Sequence, residues 1–402
     1  MSSMGTVSAE PEAVVIVGAS AAGTATASKL RRLGYAGRLT IIGDEVVPYD
    51  RPPLSKQFLA GQWAEDKLRL MSPDQLESLD ARLLLGTRAV GLDSGRRTIT
   101  DDAGRTHPFD AAVIATGVRP RMLDALSAGR PHVLRTVSDA TALRARLRPG
   151  TRLAVVGGGF LGLETAATAL ELGVDVVVVE PSTLPLSDRL GRTASARLVD
   201  LHRSRGTDFR LGVSVAGSSR DEQGVWTLEL TDHSTVTAED VLVAAGSVPQ
   251  TDWLAGSGLD ISSGVRCDAM CRAAPHVWAV GDIARWWDDR HQAHIRLEHR
   301  TNAIEQADVV AKGILGVRRE AYRPVPFFWT DHFDARIQLA GTYSADLTET
   351  LIEIDSARES TITLFQRDDR LAAVLGWNAP REIQKYRRQL LLEQADRSKA
   401  GV

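Results

Sequence analysis

The chain has 402 residues, of which 43% are hydrophobic and 25% charged, and its formal net charge is −3. This composition is typical of a globular protein of two or three domains, and it excludes a disordered or fibrous chain. Lys and Arg number 48 against 51 Asp and Glu, so there is no general basic field for nucleic acid.

The cysteine content predicts a reducing compartment. Two cysteines, Cys267 and Cys271, cannot form a disulfide framework, and their C-x3-C spacing is neither a zinc pair nor a C-x-x-C redox motif. We interpret both as packing residues and expect no metal site. The first residues lack the features of a signal peptide, and no apolar run is long enough to span a bilayer. We therefore expect residues 1–11 to be disordered, a cytoplasmic location, and no nucleic-acid or membrane partner.

One strand–glycine turn–helix–strand unit occurs twice, at residues 14–42 and 153–179. In each unit an apolar strand leads into a glycine-bounded turn, Gly18–Gly23 in the first and Gly157–Gly162 in the second. This order is typical of a dinucleotide-binding fold. The sequence therefore predicts the α/β class with two Rossmann-like domains.

The second turn is a complete G-x-G-x-x-G motif, made by Gly157, Gly158, Gly159, Phe160, Leu161 and Gly162. Its first glycine makes the tight turn, its second lets the backbone approach a pyrophosphate, and its third lets helix and strand pack closely. Glu180 ends the following strand, where a carboxylate binds a ribose 2′-hydroxyl and repels a 2′-phosphate. We therefore expect NADH rather than NADPH at this turn.

The first turn is a weaker match, because Ser20 replaces the middle glycine between Gly18 and Gly23. Its second strand is followed by Asp44 and Glu45, which places acids where a ribose hydroxyl would lie. Either turn alone could be a simple helix-packing turn. Two of them, each between strands and each followed by an acid, favour two nucleotide sites.

Further strand-end segments fit a chain that binds a flavin with one unit and a nicotinamide with the other. Each one alone could be an ordinary loop. They are ATGVRP with Thr116 and Gly117, AAGSVP with Gly246, VWAVGD with Gly281 and Asp282, and the stiff double-proline turn YDRPPLSK.

From about Ala335 the pattern changes to four antiparallel strands and a closing helix, about Pro380 to Glu393. This predicts a C-terminal α+β domain. We expect the residues from Ala395 to Val402 to be disordered.

The chain resembles the FAD-containing, NADH-dependent ferredoxin reductases that serve Rieske-type oxygenases and bacterial cytochromes P450. The motifs that carry the resemblance run from about Ala13 to Leu390 and are GASAAG, IIGDE, YDRPPLSK, ATGVRP, LRTVSDA, GGGFLGLE, VGDIA, LEHRTNAIEQA and PFFWTDHFDARIQLAG. The resemblance implies a glutathione-reductase-like fold, FAD and NADH as cofactors, and a small [2Fe–2S] ferredoxin as partner, with an oxygenase served indirectly.

The resemblance also implies domain bounds. They are 12–112 with 241–324 for a discontinuous FAD domain, 113–240 for the NAD domain and 325–394 for the C-terminal domain.

Residues that would hold FAD follow from the same resemblance. It places Ala22 at the pyrophosphate, Asp44 at the adenosine ribose, Ala89 beside the adenine through its backbone, Arg51 and Arg135 near the phosphates and flavin edge, Asp282 at the ribityl oxygens, and the backbone of Glu298, His299 and Arg300 near the flavin pyrimidine end. Relatives often have Trp or Val in place of Arg300, and a cation there could alter the flavin potential or the docking face.

Three residues are implied near the flavin ring. Lys56 and Glu164 would form an ion pair beside the flavin N5, and Trp329 would cover the flavin on the route to the iron–sulfur partner. Otherwise Lys56 would be a solvated loop lysine, and Trp329 a core aromatic at a domain junction. On the last helix Arg381, Lys385 and Arg388, with Arg387 beside them, form a basic face that would bind an acidic ferredoxin unless it is only solvated.

Three other functions are compatible with parts of this pattern. A disulfide- or peroxide-reducing flavoenzyme needs a reactive cysteine near the flavin, and residues 51–70 contain none. A rubredoxin reductase differs only in its partner. A redox-sensing flavoprotein would show slow NADH turnover with ferredoxin.

Overall fold

The computed structural model describes residues 10–317 and 320–400, which form two compact units. Unit 1 contains the described residues up to Asp50 together with Leu68–Arg119 and Val248–Pro324. Unit 2 contains Arg51–Lys67, Pro120–Ser247 and the described residues from Val325 onward. Across the described ranges, no helix combines the length and the apolar character needed to cross a bilayer.

The first part of the chain builds a parallel sheet around one fully buried strand. Its elements are β1 (Ala13–Val17), α1 (Ala21–Arg32), β2 (Arg38–Gly43), α2 (Pro73–Glu77), β3 (Ala81–Leu85), β4 (Ala89–Asp93), β5 (Thr98–Asp101), β6 (Thr106–Pro108), β7 (Ala111–Ile114) and β8 (Val118–Pro120). Strand β1 pairs in parallel with β2 and with β7. A parallel strand covered on both faces must be apolar throughout, and all five residues of β1 are buried.

The second part repeats the arrangement, and its residues up to Ser247 lie in unit 2. Its elements are α3 (Val137–Arg146), β9 (Arg152–Val156), α4 (Phe160–Glu171), β10 (Asp175–Glu180), α5 (Ser187–Leu190), α6 (Arg192–Ser204), β11 (Asp208–Leu211), β12 (Val215–Arg220), β13 (Trp226–Leu230), β14 (Thr235–Ala238), β15 (Asp240–Val243) and β16 (Ser247–Pro249). The parallel sheet has the order β11-β10-β9-β15, and β12, β13 and β14 form an antiparallel sheet. The predicted second dinucleotide fold is confirmed.

The third part returns to unit 1 and completes its sheet. Its elements are β17 (Val265–Cys267), β18 (Arg272–Ala274), β19 (Val277–Ala279), β20 (Ala284–Asp288), β21 (Ala293–Ile295) and α7 (Arg300–Ile314). The sheet order is β18-β19-β7-β1-β2-β3, and α7 packs against α1. Cys267 and Cys271 are buried free cysteines in this core, as the packing interpretation predicts.

The fourth part is the predicted α+β domain, with one strand more than the sequence pattern indicated. Its elements are β22 (Phe327–His332), β23 (Ala335–Gly341), β24 (Thr348–Asp355), β25 (Ser360–Arg367), β26 (Arg370–Trp377) and α8 (Pro380–Ala400). The strands are antiparallel in the order β22-β23-β26-β25-β24. Helix α8 packs on β26 and β23 and buries Ile383 and Leu390.

Several expected bounds are wrong because strands cross them. Strand β7 extends past residue 112 and pairs with β1, so it belongs to the first sheet. Strand β15 begins at Asp240 and pairs with β9, so it belongs to the second sheet and not to the FAD domain. The segment Arg51–Lys67 is part of unit 2. Helix α8 continues to Ala400, where disorder was expected, whereas residues 1–9, 401 and 402 lie outside the described residues.

Two buried histidines connect α6 with β22 inside unit 2. His202 and His332 are both fully buried, and Nε2 of His202 lies 3.2 Å from Nδ1 of His332. Burial lowers the pKa of each imidazole to about 3. The positive charge of Lys56 is a second cause of the low pKa of His332, and the neighbouring His332 is a second cause of the low pKa of His202. Both rings are therefore neutral in the folded protein.

This burial predicts a pH-dependent stability. A histidine in the unfolded chain binds a proton below about pH 6.5, but the two folded imidazoles do so only near 3. Their contribution is complete above about pH 6.5 and is lost as the pH falls from there towards 3. We expect the unfolding temperature, followed by circular dichroism, to fall between pH 7 and 5, and to fall less in the double variant H202Q/H332Q.

The exposed His233 supplies the control. The substitution His233→Asn should leave the pH dependence of the unfolding temperature unchanged. An equally steep dependence in H202Q/H332Q would show that the two buried imidazoles do not cause it.

Candidate functional site

The glycine turn of unit 1 has no room for side chains at its two ends. Gly18 has a φ of +114°, and a Cβ on it would overlap the carbonyl oxygen of Ala115 at the end of the neighbouring strand. A Cβ on Gly23 would overlap the carbonyl oxygen of Gly18, so helix α1 starts in direct contact with the turn. Ser20 between them has an ordinary φ of −90°, so serine fits there without backbone strain.

The glycine turn of unit 2 has the same geometry. Gly157 also has a φ of +114°, and Cβ atoms on Gly157 and Gly162 would overlap the carbonyl oxygens of Ala244 and Gly157. A Cβ on Gly159 would meet no atom within 4 Å, so the space in front of the middle position is open. That is where the backbone of this motif approaches a pyrophosphate.

Both turns lead into helix N-termini that suit an anion. Ser20 and Gly159 are the N-cap residues of α1 and α4. The Ser20 side chain does not cap its helix, and glycine has no side chain to do so. Neither helix has an acidic residue in its first turn. The first N–H groups and the positive end of the helix dipole are therefore available to a phosphate at each turn.

The acid that follows each turn is held differently. The Glu180 carboxylate accepts hydrogen bonds from the N–H groups of Gly158 (2.7 Å) and Ser182 (2.8 Å), which fix it beside the glycine turn. Asp44 directly follows β2 and is exposed. Each carboxylate retains lone pairs for ribose hydroxyls.

Unit 1 brings further predicted FAD residues to its glycine turn. A Cβ on Gly281 would lie 2.9 Å from the Ala22 side chain, so the Gly281–Ile283 turn lies against the start of α1. The Gly281 N–H donates to Oε1 of Gln306 (2.7 Å), and the Asp282 carbonyl accepts from Arg296 (2.9 Å). These bonds fix the backbone from which the Asp282 side chain projects.

Two other predicted residues lie at strand ends of unit 1. The Thr116 hydroxyl donates to the Gln250 carbonyl (3.1 Å), and the Gln250 N–H donates to the Gly117 carbonyl (2.9 Å). Ala89 is buried at the start of β4. In unit 2, Gly246 has a φ of +91°, and its carbonyl accepts from the Arg121 N–H.

The start of α7 contains Arg300. Its Nε lies 2.7 Å from Oδ1 of Asp50, within the YDRPPLSK segment. His299 is the N-cap residue, and Glu298 forms an ion pair with Arg296 (2.8 Å). The Arg300 charge is therefore balanced by a neighbouring carboxylate of unit 1.

Unit 2 contains the ion pair that the resemblance implied. Nζ of Lys56 lies 2.7 Å from Oε2 of Glu164, with only 12% and 9% of the two side chains exposed. The Ser55 hydroxyl donates to the same Oε2 (2.7 Å), and the Thr330 hydroxyl donates to Oε1 (2.8 Å). Thr168 donates to the Ser55 carbonyl (2.8 Å), which holds the loop on α4. Buried charges need this degree of pairing, because desolvating either one alone is costly.

Strand β22 presents two different faces. Successive side chains of a strand alternate, so Phe328, Thr330 and His332 share one face while Trp329 lies on the other. Phe328 contacts Phe160 of the second glycine turn, with ring centroids 4.8 Å apart. Trp329 is half-buried and packs against the core of the C-terminal domain and against Phe327.

Other predicted residues of unit 2 are also placed. The Arg51 guanidinium donates to the Arg135 carbonyl, just before α3. Leu161 is exposed at the start of α4. The side chains of Arg381, Lys385 and Arg388 are exposed on α8, and Arg387 lies over the Phe327 ring, 4.5 Å from its centroid.

Sequence reasoning missed the residues that surround Glu164, which are Ser55, Thr330, His332 and His202. Ser55 lies in the quoted YDRPPLSK segment, and Thr330 and His332 lie in the quoted PFFWTDHFDARIQLAG segment. Alternation along β22 could have indicated that Thr330 and His332 share a face. Nothing in the spacing links them to Glu164 or to His202.

The residues present fit the two expected cofactors. Unit 1 offers a glycine cradle that a Cβ would fill, an open helix N-terminus and an exposed acid, which suit the ADP half of FAD. Unit 2 offers the same set with Glu180, which suits NADH. Burial raises the pKa values of Cys267 and Cys271, which does not suit a reactive thiolate.

The chain is similar to known proteins over most of its length. Residues 12–307 match the family described as pyridine nucleotide-disulphide oxidoreductase, and residues 327–400 match the family described as reductase C-terminal. The ferredoxin–NAD(+) reductase component of an anthranilate 1,2-dioxygenase system from Burkholderia cepacia is 35% identical, over 95% of this chain and 94% of that protein. Putidaredoxin reductase from Pseudomonas putida is 33% identical, over 92% and 89%.

A solved structure, the covalent complex of putidaredoxin reductase with putidaredoxin, aligns with a TM-score of 0.87 at 30% identity and covers 94% of this chain and 92% of that chain. The expected fold class, cofactors and enzyme class are confirmed by these likenesses. The chain therefore belongs to the pyridine nucleotide-disulphide oxidoreductases, as an FAD- and NAD-dependent relative of the ferredoxin reductases of oxygenase systems.

Proposed function

We propose that this chain oxidises NADH and passes the electrons, through FAD, to a small [2Fe–2S] ferredoxin that serves a cytochrome P450 or a Rieske-type oxygenase. One observation carries the proposal. The likeness to ferredoxin reductases spans both glycine cradles and also the C-terminal domain. Bound FAD would supply the conversion of a two-electron hydride donor into a one-electron donor.

The chain's own residues divide this work between the two units. Gly18–Gly23, Asp44 and Asp282 in unit 1 would hold FAD, and Gly157–Gly162 with Glu180 in unit 2 would hold NADH. The protein contributes orientation and electrostatics, because the hydride chemistry belongs to the cofactors. The two cysteines are buried, which favours electron transfer over disulfide reduction.

The Lys56–Glu164 pair would act beside the flavin. An ammonium at that place stabilises negative charge as hydride arrives, and the carboxylate keeps the buried ammonium paired before that. Trp329, at the start of the C-terminal domain, would lie on the route to the ferredoxin. We also propose a cytoplasmic location, which the lack of a disulfide framework supports.

Lys56→Met tests the role of the ion pair. We expect FAD to remain bound, because the glycine cradle and Asp44 lie in unit 1, and we expect flavin reduction by NADH to slow at least about tenfold. Rapid mixing under anaerobic conditions, with the flavin absorbance as the signal, measures the rate. Glu164→Gln should also slow the reaction.

Lys67→Met is the matched control, because Lys67 is an exposed lysine of the same segment that lies over the Trp63 ring. It should reduce its flavin at the wild-type rate. Unimpaired hydride transfer in Lys56→Met would make Lys56 a structural residue.

Glu180→Ala tests the nicotinamide site. Removing the carboxylate removes both the ribose acceptor and the repulsion of a 2′-phosphate, so we expect the preference for NADH over NADPH to fall about tenfold in kcat/KM. The matched variant is Asp44→Ala in the other unit, which should weaken FAD retention and leave the NADH preference intact. An unchanged preference in Glu180→Ala would remove its assignment.

The double variant R381E/R388E tests the partner and the function together. With wild-type protein, anaerobic NADH should bleach the flavin and then reduce added [2Fe–2S] ferredoxin. If the basic face of α8 binds an acidic ferredoxin, the double variant should keep the bleaching but reduce ferredoxin about tenfold more slowly at low salt.

R96E/R148E, two exposed arginines on other parts of the chain, is the charge-matched control and should retain full ferredoxin reduction. Equal rates in the two double variants would exclude α8 as the docking face. Rapid reduction of rubredoxin but not of ferredoxin would favour a rubredoxin reductase instead.

A further inference from the structure

A line of buried polar side chains continues behind Glu164 within unit 2. Oγ1 of Thr330 lies 2.8 Å from Oε1 of Glu164 and 2.9 Å from Nε2 of His332. Nδ1 of His332 lies 3.2 Å from Nε2 of His202, and Nδ1 of His202 lies 3.3 Å from Oγ1 of Thr207. The line joins α4, β22 and α6.

The Glu164 carboxylate sets one direction of donation through this line, while His332 also has the Leu163 backbone carbonyl as a hydrogen-bond acceptor. An ionised Glu164 can only accept, so the single hydroxyl proton of Thr330 points to it. The Thr330 oxygen must then accept from Nε2–H of His332, which leaves Nδ1 of His332 as an acceptor. His202 fills that acceptor with its own Nε2–H and accepts the Thr207 hydroxyl proton at Nδ1.

Burial makes this direction costly to reverse. Thr330, His332 and His202 are all fully buried, and Thr207 is 5% exposed. A buried polar group that loses its partner retains its full desolvation cost, so each member depends on the next. The neutral state of both imidazoles suits the line, because a doubly protonated ring has no acceptor to offer.

The line ends on the one oxygen of Glu164 that does not face Lys56. Ser55 and Lys56 share Oε2, whereas Oε1 is held by Thr330. Fixing Oε1 fixes the plane of the carboxylate and therefore the position of Oε2. The hydrogen bond from Thr330 to Glu164 consequently determines how closely Oε2 pairs with the Lys56 ammonium.

From this geometry we infer that His332 and His202 are positioning residues for the redox site. Through Thr330 they hold the Glu164 carboxylate in the orientation that faces Lys56, and so they set the charge that Lys56 presents to the flavin. The inference rests on the proposed function in one respect, which is the placement of Lys56 and Glu164 beside the flavin.

His332→Leu removes the donor to Thr330, and His332→Gln can replace it with an amide that both donates and accepts. We expect His332→Leu to slow the limiting rate of flavin reduction about tenfold, with little change in the NADH concentration for half-saturation. We expect its flavin midpoint potential to become more negative, because a Lys56 ammonium that is no longer held in place stabilises the reduced flavin less well. His332→Gln should restore both values to near those of the wild-type protein.

A matched control is His107→Leu in unit 1, where a buried imidazole contacts Asp101 outside this line. It removes a histidine of similar burial and should change neither the limiting rate nor the potential. FAD content and unfolding temperature, measured on each holoenzyme, separate a folding defect from a local effect. If the leucine variant does not retain FAD, Thr330→Val with Thr330→Ser as its conservative match tests the same link.

A double-mutant cycle separates positioning from packing. In a Glu164→Gln background, His332→Leu should have no further effect on the flavin potential or the limiting rate, because the carboxylate that it positions is absent. An undiminished effect of His332→Leu in that background would overturn the inference, and so would a potential unchanged by His332→Leu in the wild-type background.

The outcomes also distinguish the two proposals. If Lys56→Met and Glu164→Gln leave flavin reduction unchanged, the proposed role of the ion pair fails. If those variants slow the reaction while His332→Leu does not, only the positioning role fails.

Discussion

A lysine ammonium and a carboxylate that are both withdrawn from water must satisfy each other. Lys56 and Glu164 do so at 2.7 Å, with 12% and 9% of their side chains exposed. Such a pair adds little net stability, since desolvation offsets much of the attraction, but removing one partner typically costs about 3–5 kcal/mol. The elements that carry Lys56 and Glu164 must therefore bring the ammonium and the carboxylate into contact. The Pro52–Pro53 turn carries Lys56, and the tight start of α4 carries Glu164.

The lack of room for a Cβ at Gly157 and Gly162 has two consequences for the start of α4. Gly157 and Gly162 admit no Cβ, so the helix begins directly against the strand that precedes it. The same closeness opens the helix N-terminus to a phosphate and brings Glu164, one turn further on, within reach of Lys56. Unit 1 repeats the steric rule with Gly18 and Gly23, but its α1 has no acid at the corresponding place. Both units therefore have the glycine turn, whereas only the helix of unit 2 adds a carboxylate, that of Glu164.

The ion pair of Arg300 with Asp50 explains how an arginine is accommodated at the start of α7. Within unit 1 the guanidinium is half-buried and lies 2.7 Å from a carboxylate, so its charge is balanced locally. Asp50 belongs to the same YDRPPLSK segment that supplies Ser55 and Lys56, although the chain passes from one compact unit to the other directly after it. A substitution at Asp50 would therefore unpair a charge of unit 1, and one at Lys56 would unpair a charge of unit 2.

The sequence by itself determined the elements whose physics is local. Apolar strands, glycine turns and the acids that follow them predicted two dinucleotide folds, because strand burial and turn sterics depend on residues a few positions apart. Antiparallel alternation predicted most of the C-terminal domain. The expected bounds failed at β7 and β15, since membership of a sheet depends on which distant strand a residue pairs with.

Only the tertiary structure decided what surrounds Glu164. Thr330, His332 and His202 are far from it in the chain, and their hydrogen bonds arise from the packing of β22 between α4 and α6. A polar side chain in a sequence has no visible partner, because the cost of leaving it unpaired appears only once water is excluded from it. The resemblance therefore implied the ion pair, and the fold alone revealed the buried polar side chains that hydrogen-bond to Glu164.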